Sequence, residues 1–308
     1  MEENKKLTDQ ELFSFVEFDH DQAERTGYSE YSYWRSVLRT FSKNKFAMAL
    51  VIIMLCLIVF AFFANSTARF PIDEIHRTDK LLSPDATYWF GTDTLGRDMW
   101  ARSWYGTTIS LKVAGVVTFV CVIVGVIVGC IWGYVRATDR FFTELYNIVA
   151  NIPETIYLIL LTYIMEKGFW TIVLAMCLTG WLAMARNVRN LVFMIRDREY
   201  NLASRCLGTP LPRMISKNLI PYLVSVVILR MALMIPNVIS QEVTLSYLGL
   251  GLPATTPSLG KLLSEGRTKF QDFPYLLVFP SLIVSIITVS FYLAGNAFSD
   301  ASDPKNHV

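Results

Sequence analysis

The chain has 308 residues, of which 53% are hydrophobic and 18% charged, and a formal net charge of +2. Soluble domains carry about 25% charged residues, so both an ordinary water-soluble enzyme and a disordered chain are disfavoured. The charge of +2 gives no nucleic-acid signature. Charge is absent from several windows long enough to cross a bilayer, which takes about 20 apolar residues. The composition therefore predicts an all-α, polytopic membrane protein.

Taken in chain order, residues 1–45 are hydrophilic, and no secretory signal is expected ahead of the first span. An aromatic cluster in this tail (Tyr28, Tyr31, Tyr33, Trp34) favours an interfacial anchor over a docking strip, because Trp and Tyr prefer the head-group region. The first span is expected over 46–68, between Lys45 and Arg69, and an extracellular loop over 69–112. A second span follows over 113–135, with Gly125, Gly129 and Gly133 on one helix face, suited to close packing within the bundle. A third covers 145–165 with one charge, Glu154, and a fourth 168–185. The fifth, roughly 219–247, contains Arg230 and Glu242 and an expected break at Pro236; the sixth is 273–299, before a 300–308 tail. The prediction is six transmembrane helices, five of them in a core over 113–299.

The basic residues set the direction. Arg35, Arg39, Lys43 and Lys45 precede the first span with no acid after Glu30. The 186–218 loop carries Arg186, Arg189, Arg196, Arg198, Arg205, Arg213 and Lys217 against only Asp197 and Glu199. Both termini and this loop are expected to be cytoplasmic. Within the loop, 198–207 reads as a short amphipathic helix with Leu202, Ala203 and Cys206 on one face. Gly208 is placed as its left-handed C-terminal residue, with Pro210 just beyond. Pro212 suits the first turn of a second helix. Spacing alone leaves two readings, a basic helix held by lipid head groups or a docking element for another protein. The five cysteines form no CxxC motif and read as packing residues.

This loop resembles the EAA loop of binding-protein-dependent ABC transporter permeases. The pattern falls on Leu202-Ala203-Ser204, then Gly208, then Leu219-Ile220-Pro221. The family's Glu position is held by Leu202 and the second Ala by Ser204; Glu199 is the nearest acid upstream. The segment FGTDTLGRDMWAR over 90–102, with Gly91, Thr92, Asp93, Gly96, Arg97 and Asp98, resembles the GTDxxGRD signature that precedes the permease core. LSYLGLGLPATTPSLG over 245–260 resembles a second signature, and both are characteristic of C-type subunits (the OppC, DppC and AmiD kind) of oligopeptide and dipeptide importers. The resemblance covers roughly 88–303. It implies a type I ABC importer permease fold in a bacterial plasma membrane, with the loop as a coupling helix seated in an ATPase subunit. It further implies a second homologous permease, two ATP-binding subunits that hold ATP and Mg, an extracellular peptide-binding protein, a peptide substrate and membrane lipid as partners. No cofactor is expected in this chain, and relatives carry oligopeptides, dipeptides or nickel complexes.

Without the family, 91–98 reads as a capped turn leading into a surface helix, since it lacks the alternating carboxylates of a calcium loop. The Gly- and Pro-rich 249–260 stretch cannot be a membrane helix and fits an outer loop near the translocation mouth. Glu154, Arg230 and Glu242 require a bundle interior or an aqueous path. Arg230 falls at mid-depth, and Arg230 and Glu242 are expected either to face a central cavity or to pair, with each other or with a partner subunit. No GxSxG, HExxH or phosphate-loop motif is present, and His20, His76 and His307 all lie outside the spans, so neither an enzyme nor ATP binding by this chain is expected. The other transport reading is an ion-coupled secondary transporter, with Glu154 or Glu242 carrying protons; no inverted repeat with broken helices supports it.

Overall fold

The computed structural model describes residues 41–253 and 255–302, which are helical and connecting segments only, apart from one isolated bridge between Thr92 and Asp98. The tail anchor proposed for Tyr28–Trp34 lies outside these residues. In chain order the helices are α1 (Lys45–Thr67), α2 (Met99–Tyr134), α3 (Arg136–Ala150), α4 (Glu154–Ile164), α5 (Phe169–Ile195), α6 (Glu199–Cys206), α7 (Leu211–Met214), α8 (Ile220–Tyr247), α9 (Leu259–Thr268) and α10 (Tyr275–Ser302). A π-turn over Ile215–Leu219 joins α7 to α8. Four helices (α2, α5, α8 and α10) are long and apolar enough to cross a membrane; α1 contributes a shorter apolar stretch, Met48–Ala64.

The third expected span is not one helix. α3 and α4 meet at a bend of 80°, at Asn151–Pro153. Proline supplies no N–H and disfavours the helical conformation in the residue before it. The two halves also differ in chemistry: α3 (RATDRFFTELYNIVA) is amphipathic with no buried residue, whereas α4 (ETIYLILLTYI) is apolar. Two other boundaries move outward from the apolar windows. α2 begins at Met99 rather than 113, and α5 continues to Ile195, ten residues into the segment expected to be loop. Hydropathy marks where lipid is met, while the hydrogen-bonded helix continues until a cap stops it. The expected break at Pro236 is also absent; α8 runs unbroken through it. In a packed membrane helix, neighbouring groups absorb the lost backbone bond.

α2 is the centre of the bundle and packs most extensively along α5. Its glycine stripe makes this approach possible. A Cβ on Gly125 would lie 2.6 Å from the Met184 side chain, on Gly129 2.6 Å from the Ala185 carbonyl, and on Gly133 2.8 Å from the Arg189 carbonyl. Packing within the bundle, as expected, accounts for the stripe. The main core gathers Val113, Val117 and Cys121 of α2 with Ile172 and Met176 of α5, Ile239 and Leu245 of α8 and Ile283 and Ile287 of α10. A smaller core at the other end joins Cys130, Val188, Val192, Ile195, Leu219 and Leu223. Cys121 and Cys130 are buried among these side chains as small hydrophobes.

Candidate functional site

The 199–221 segment lies at the end of the bundle where α2 finishes and α8 begins. α6 closes with the hydrogen bonds of a Schellman turn: the Thr209 N–H donates to the Ser204 carbonyl (3.1 Å) and the Gly208 N–H to that of Arg205 (2.9 Å). Gly208 has φ +73°, the left-handed conformation that residue types with a Cβ resist. Below the turn, polar bonds hold α6 to the bundle. Asn201, fully buried, donates to the Ile195 carbonyl (2.8 Å), and Asn218 donates to Asn201 Oδ1 and Ser204 Oγ (both 3.1 Å). Arg205 donates to the Tyr134 hydroxyl (3.0 Å) and Arg196 to the Gly133 carbonyl (2.9 Å), tying the segment to the end of α2. The outer side of α6 carries an exposed apolar group, Leu202, Ala203, Cys206 and Leu207 (Leu207 at 85%), flanked by the exposed charges of Arg198, Arg213 and Lys217. Glu199 is exposed with no ion-pair partner among the described residues, and Pro221 lies at the first turn of α8, also exposed.

The mid-bundle site is a cavity of about 220 Å³ lined by Glu154 of α4, Asn187 and Gly180 of α5, and Arg230, Asn237 and Gln241 of α8. Glu154 is hydrogen-bonded to Gln241 and Tyr157, and the Tyr157 hydroxyl in turn accepts from Thr179. Arg230 is exposed and makes no ion pair among the described residues. At about 1.5 Å per residue it stands roughly 15 Å along α8.

Glu242 is not part of this cavity, and it pairs with neither Arg230 nor any other cation among the described residues. It is 0% exposed and bound by serine hydroxyls from three segments: Ser110 (2.9 Å), Ser246 (2.9 Å) and Ser258 (2.7 Å). Helical phase is the reason. From Arg230 to Glu242 a helix turns through about 1200°, three turns and a third, so the two side chains leave α8 about 120° apart. Asn237 and Gln241, seven and eleven residues from Arg230, stay within about 20° of its direction. That polar stripe was the sequence signal for the cavity.

At the opposite end, the 91–98 segment is a knot around Asp93. Its carboxylate accepts from the backbone N–H groups of Leu95 (2.8 Å) and Arg97 (2.9 Å), from Arg97 Nε (2.7 Å) and from Arg102 Nη1 (2.7 Å). Arg102 is 1% exposed and also reaches Glu265 (3.4 Å). Thr92 accepts from the Leu82 N–H (2.8 Å), and its carbonyl accepts from the Tyr275 hydroxyl (3.0 Å). A Cβ on Gly96 would lie 1.9 Å from the His76 carbonyl. Asp98 caps α2 by accepting from the Trp100 N–H (3.0 Å), so the turn is capped as expected, but it leads into a span rather than a surface helix. Burial pushes the Asp98 carboxyl up, against the pull of the Trp100 and Ala101 N–H groups; burial likewise raises Glu265, against Lys261 and Arg97.

Bilayer-length apolar helices around a charged cavity of about 220 Å³ place this chain among the membrane proteins that build a path for a polar solute. Residues 122–308 match the family described as binding-protein-dependent transport system inner membrane component, and residues 32–84 match the N-terminal TM domain of oligopeptide transport permease C. The chain belongs to this family of transport permeases. It is 37% identical over 303 residues to the oligopeptide transport system permease protein AmiD of Streptococcus pneumoniae, covering 97% of this chain and 98% of that protein. It is 35% identical to the oligopeptide permease OppC of Bacillus subtilis (92% of this chain, 93% of that protein) and 37% identical to the dipeptide permease DppC of the same organism (89% and 86%).

Proposed function

We propose that this chain is one of two non-identical permease subunits of an ATP-driven peptide importer, served by an extracellular binding protein and two ATPase subunits. Peptides, oligopeptides foremost, are the substrate class that the names of its relatives support. The observation that carries the reading is the uncovered polar face at mid-depth. An exposed Arg230 beside Asn237, Gln241 and Glu154 cannot rest against lipid, where each such group costs several kcal/mol or more. A homologous subunit facing this side would enclose it as an aqueous path. One cation, one carboxylate and three amides match a zwitterionic, amide-rich solute.

In this reading α1 and the bent pair α3–α4 supply two of six spans, and both termini lie in the cytoplasm. α6 is the coupling helix, whose exposed Leu202, Ala203, Cys206 and Leu207 would enter an apolar groove on an ATPase subunit, with Ser204, Gly208 and Pro221 fixing its angle. The bonds from Arg196, Arg205 and Asn218 make α6 move with α2 and α8, so ATP-driven closure of the ATPase pair would reach the cavity walls. ATP and substrate would each bias a two-state arrangement of the spans. The signature residues Gly91, Thr92, Asp93, Gly96, Arg97 and Asp98 act as a brace at the outer end of α2 rather than as a binding site.

The assay is uptake of labelled peptide by the full complex in proteoliposomes. Uptake that requires ATP and the binding protein supports the assignment; uptake driven by a proton gradient without the ATPases would replace it with an ion-coupled carrier.

A further inference from the structure

Glu242 is the most deeply buried acid in the described structure and has no cation beside it. Its Oε1 accepts from Ser246 and Ser258, its Oε2 from Ser110, and the Gly260 backbone N–H adds a fourth donor. The donors come from α2, from α8 itself and from the start of α9. The same hydroxyls hold the α9 backbone: Ser110 accepts from the Leu259 N–H and Ser258 from the Lys261 N–H (both 3.2 Å). Three glycines bring these segments into backbone contact. A Cβ on Gly251 would lie 2.1 Å from Ser246 Oγ, one on Gly260 2.7 Å from Val243 Cα, and one on Gly106 3.0 Å from the Ser258 carbonyl carbon. The irregular 248–258 stretch and α9 are therefore clamped to α2 and α8 at a single carboxylate.

Beyond the clamp, the same unit presents a rim. Tyr247, Leu248, Arg267, Lys269 and Phe270 are exposed, with the Arg267 guanidinium 4.2 Å from the centre of the Tyr247 ring. A buried carboxylate that loses its donors is costly, so the clamp resists slippage of α9 along α8, and the rim must move with the outer ends of both spans.

We propose that Glu242 is a positioning residue, which through Ser110, Ser246 and Ser258 fixes α9 and the preceding turn as the rigid outer rim that receives the extracellular binding protein, and which touches no substrate. The proposal rests on the importer reading for the identity of the partner. It is tested on the complete complex in nanodiscs with Glu242→Ala, Glu242→Gln and Ser258→Ala, by amide exchange and by titrating ATPase activity with binding protein. Glu242→Ala should speed exchange over 248–268 by about tenfold or more while α2 and α5 stay protected. The half-saturating concentration of binding protein should rise, with the maximal rate kept. Glu242→Gln should fall between, since its amide oxygen still accepts from serine, and Ser258→Ala should give a milder form of the Ala effect. Wild-type exchange and half-saturation in Glu242→Ala would overturn the proposal, as would loss of protection throughout the bundle. If Glu242→Ala does not assemble, the other two variants carry the same test. A wild-type complex that binding protein does not stimulate would sink the importer reading instead, while exchange over 248–268 would still decide whether the clamp exists.

Discussion

Asp93→Ala isolates the brace at the head of α2. The wild-type carboxylate satisfies two backbone N–H groups and two arginines, one of which, Arg102, is 1% exposed. Its removal leaves Arg102 with Glu265 alone, at 3.4 Å. Breaking a buried pair by deleting one partner costs about 3–5 kcal/mol. That corresponds to a local opening equilibrium raised by roughly two to three and a half orders of magnitude. The amides to follow are Arg97, bonded to the Asp93 side chain, and Gly96 and Met99, bonded to the carbonyls of Asp93 and Gly91. Hydrogen exchange of the purified protein should show these three accelerating by about a hundredfold or more, with the Gly125–Gly133 stretch of α2 unaffected. Replacing both partners of the buried pair, Asp93→Asn with Arg102→Met, should cost less than Asp93→Ala alone, because the buried Arg102 charge goes with its partner and only the more exposed Arg97 is left without a carboxylate. An acceleration below about threefold in Asp93→Ala would refute the reasoning.

Four further outcomes follow from the packing and the charges. Gly129→Leu should prevent α2 from seating on α5, because even a Cβ would lie 2.6 Å from the Ala185 carbonyl; the readout is loss of folded protein by size exclusion. Gly115→Ala on the same helix meets nothing within 4 Å and should be neutral or stabilising by up to about 1 kcal/mol. Arg230→Ala and Glu154→Ala should insert normally and lower peptide uptake, while uptake at the wild-type rate in both would remove the cavity from the path. The Tyr88 phenol, pushed up to about 12 by burial and then by its hydrogen bond to Asp79, contributes stability that is complete below its ordinary value of 10 and is lost as pH rises through about 12. Tyr88→Phe should weaken the alkaline dependence of thermal melts by the share that Tyr88 contributes.

Much of the architecture was written in the sequence because lipid imposes a simple rule: apolar windows mark α1, α2, α5, α8 and α10. Gly208 was legible because a Gly followed by Pro after an amphipathic stretch has few other uses. Rules that read composition alone failed where direction mattered. Arg230 and Glu242 were grouped as two charges in one span, although helical phase separates them and joins Arg230 to Asn237 and Gln241. The serine cradle of Glu242 was not visible at all, since Ser110 and Ser258 are distant in the chain and become neighbours only in the fold. Pro236 and Pro153 look alike as breakers. Only packing decides that α8 continues through one while α3 and α4 part at the other.

The central claim is that the 199–221 segment transmits ATP hydrolysis to the transport path, and Gly208 tests it most directly. Its φ of +73° strains a β-branched residue, yet a side chain there meets nothing within 4 Å, so the substitution alters the turn without a clash. In the reconstituted complex, Gly208→Val should lower the peptide imported per ATP hydrolysed by about tenfold, in keeping with a penalty of about 1–2 kcal/mol for the left-handed conformation. Gly208→Asn, which tolerates that conformation, should keep the ratio near wild type. An unchanged ratio in Gly208→Val, with normal assembly, would contradict the account.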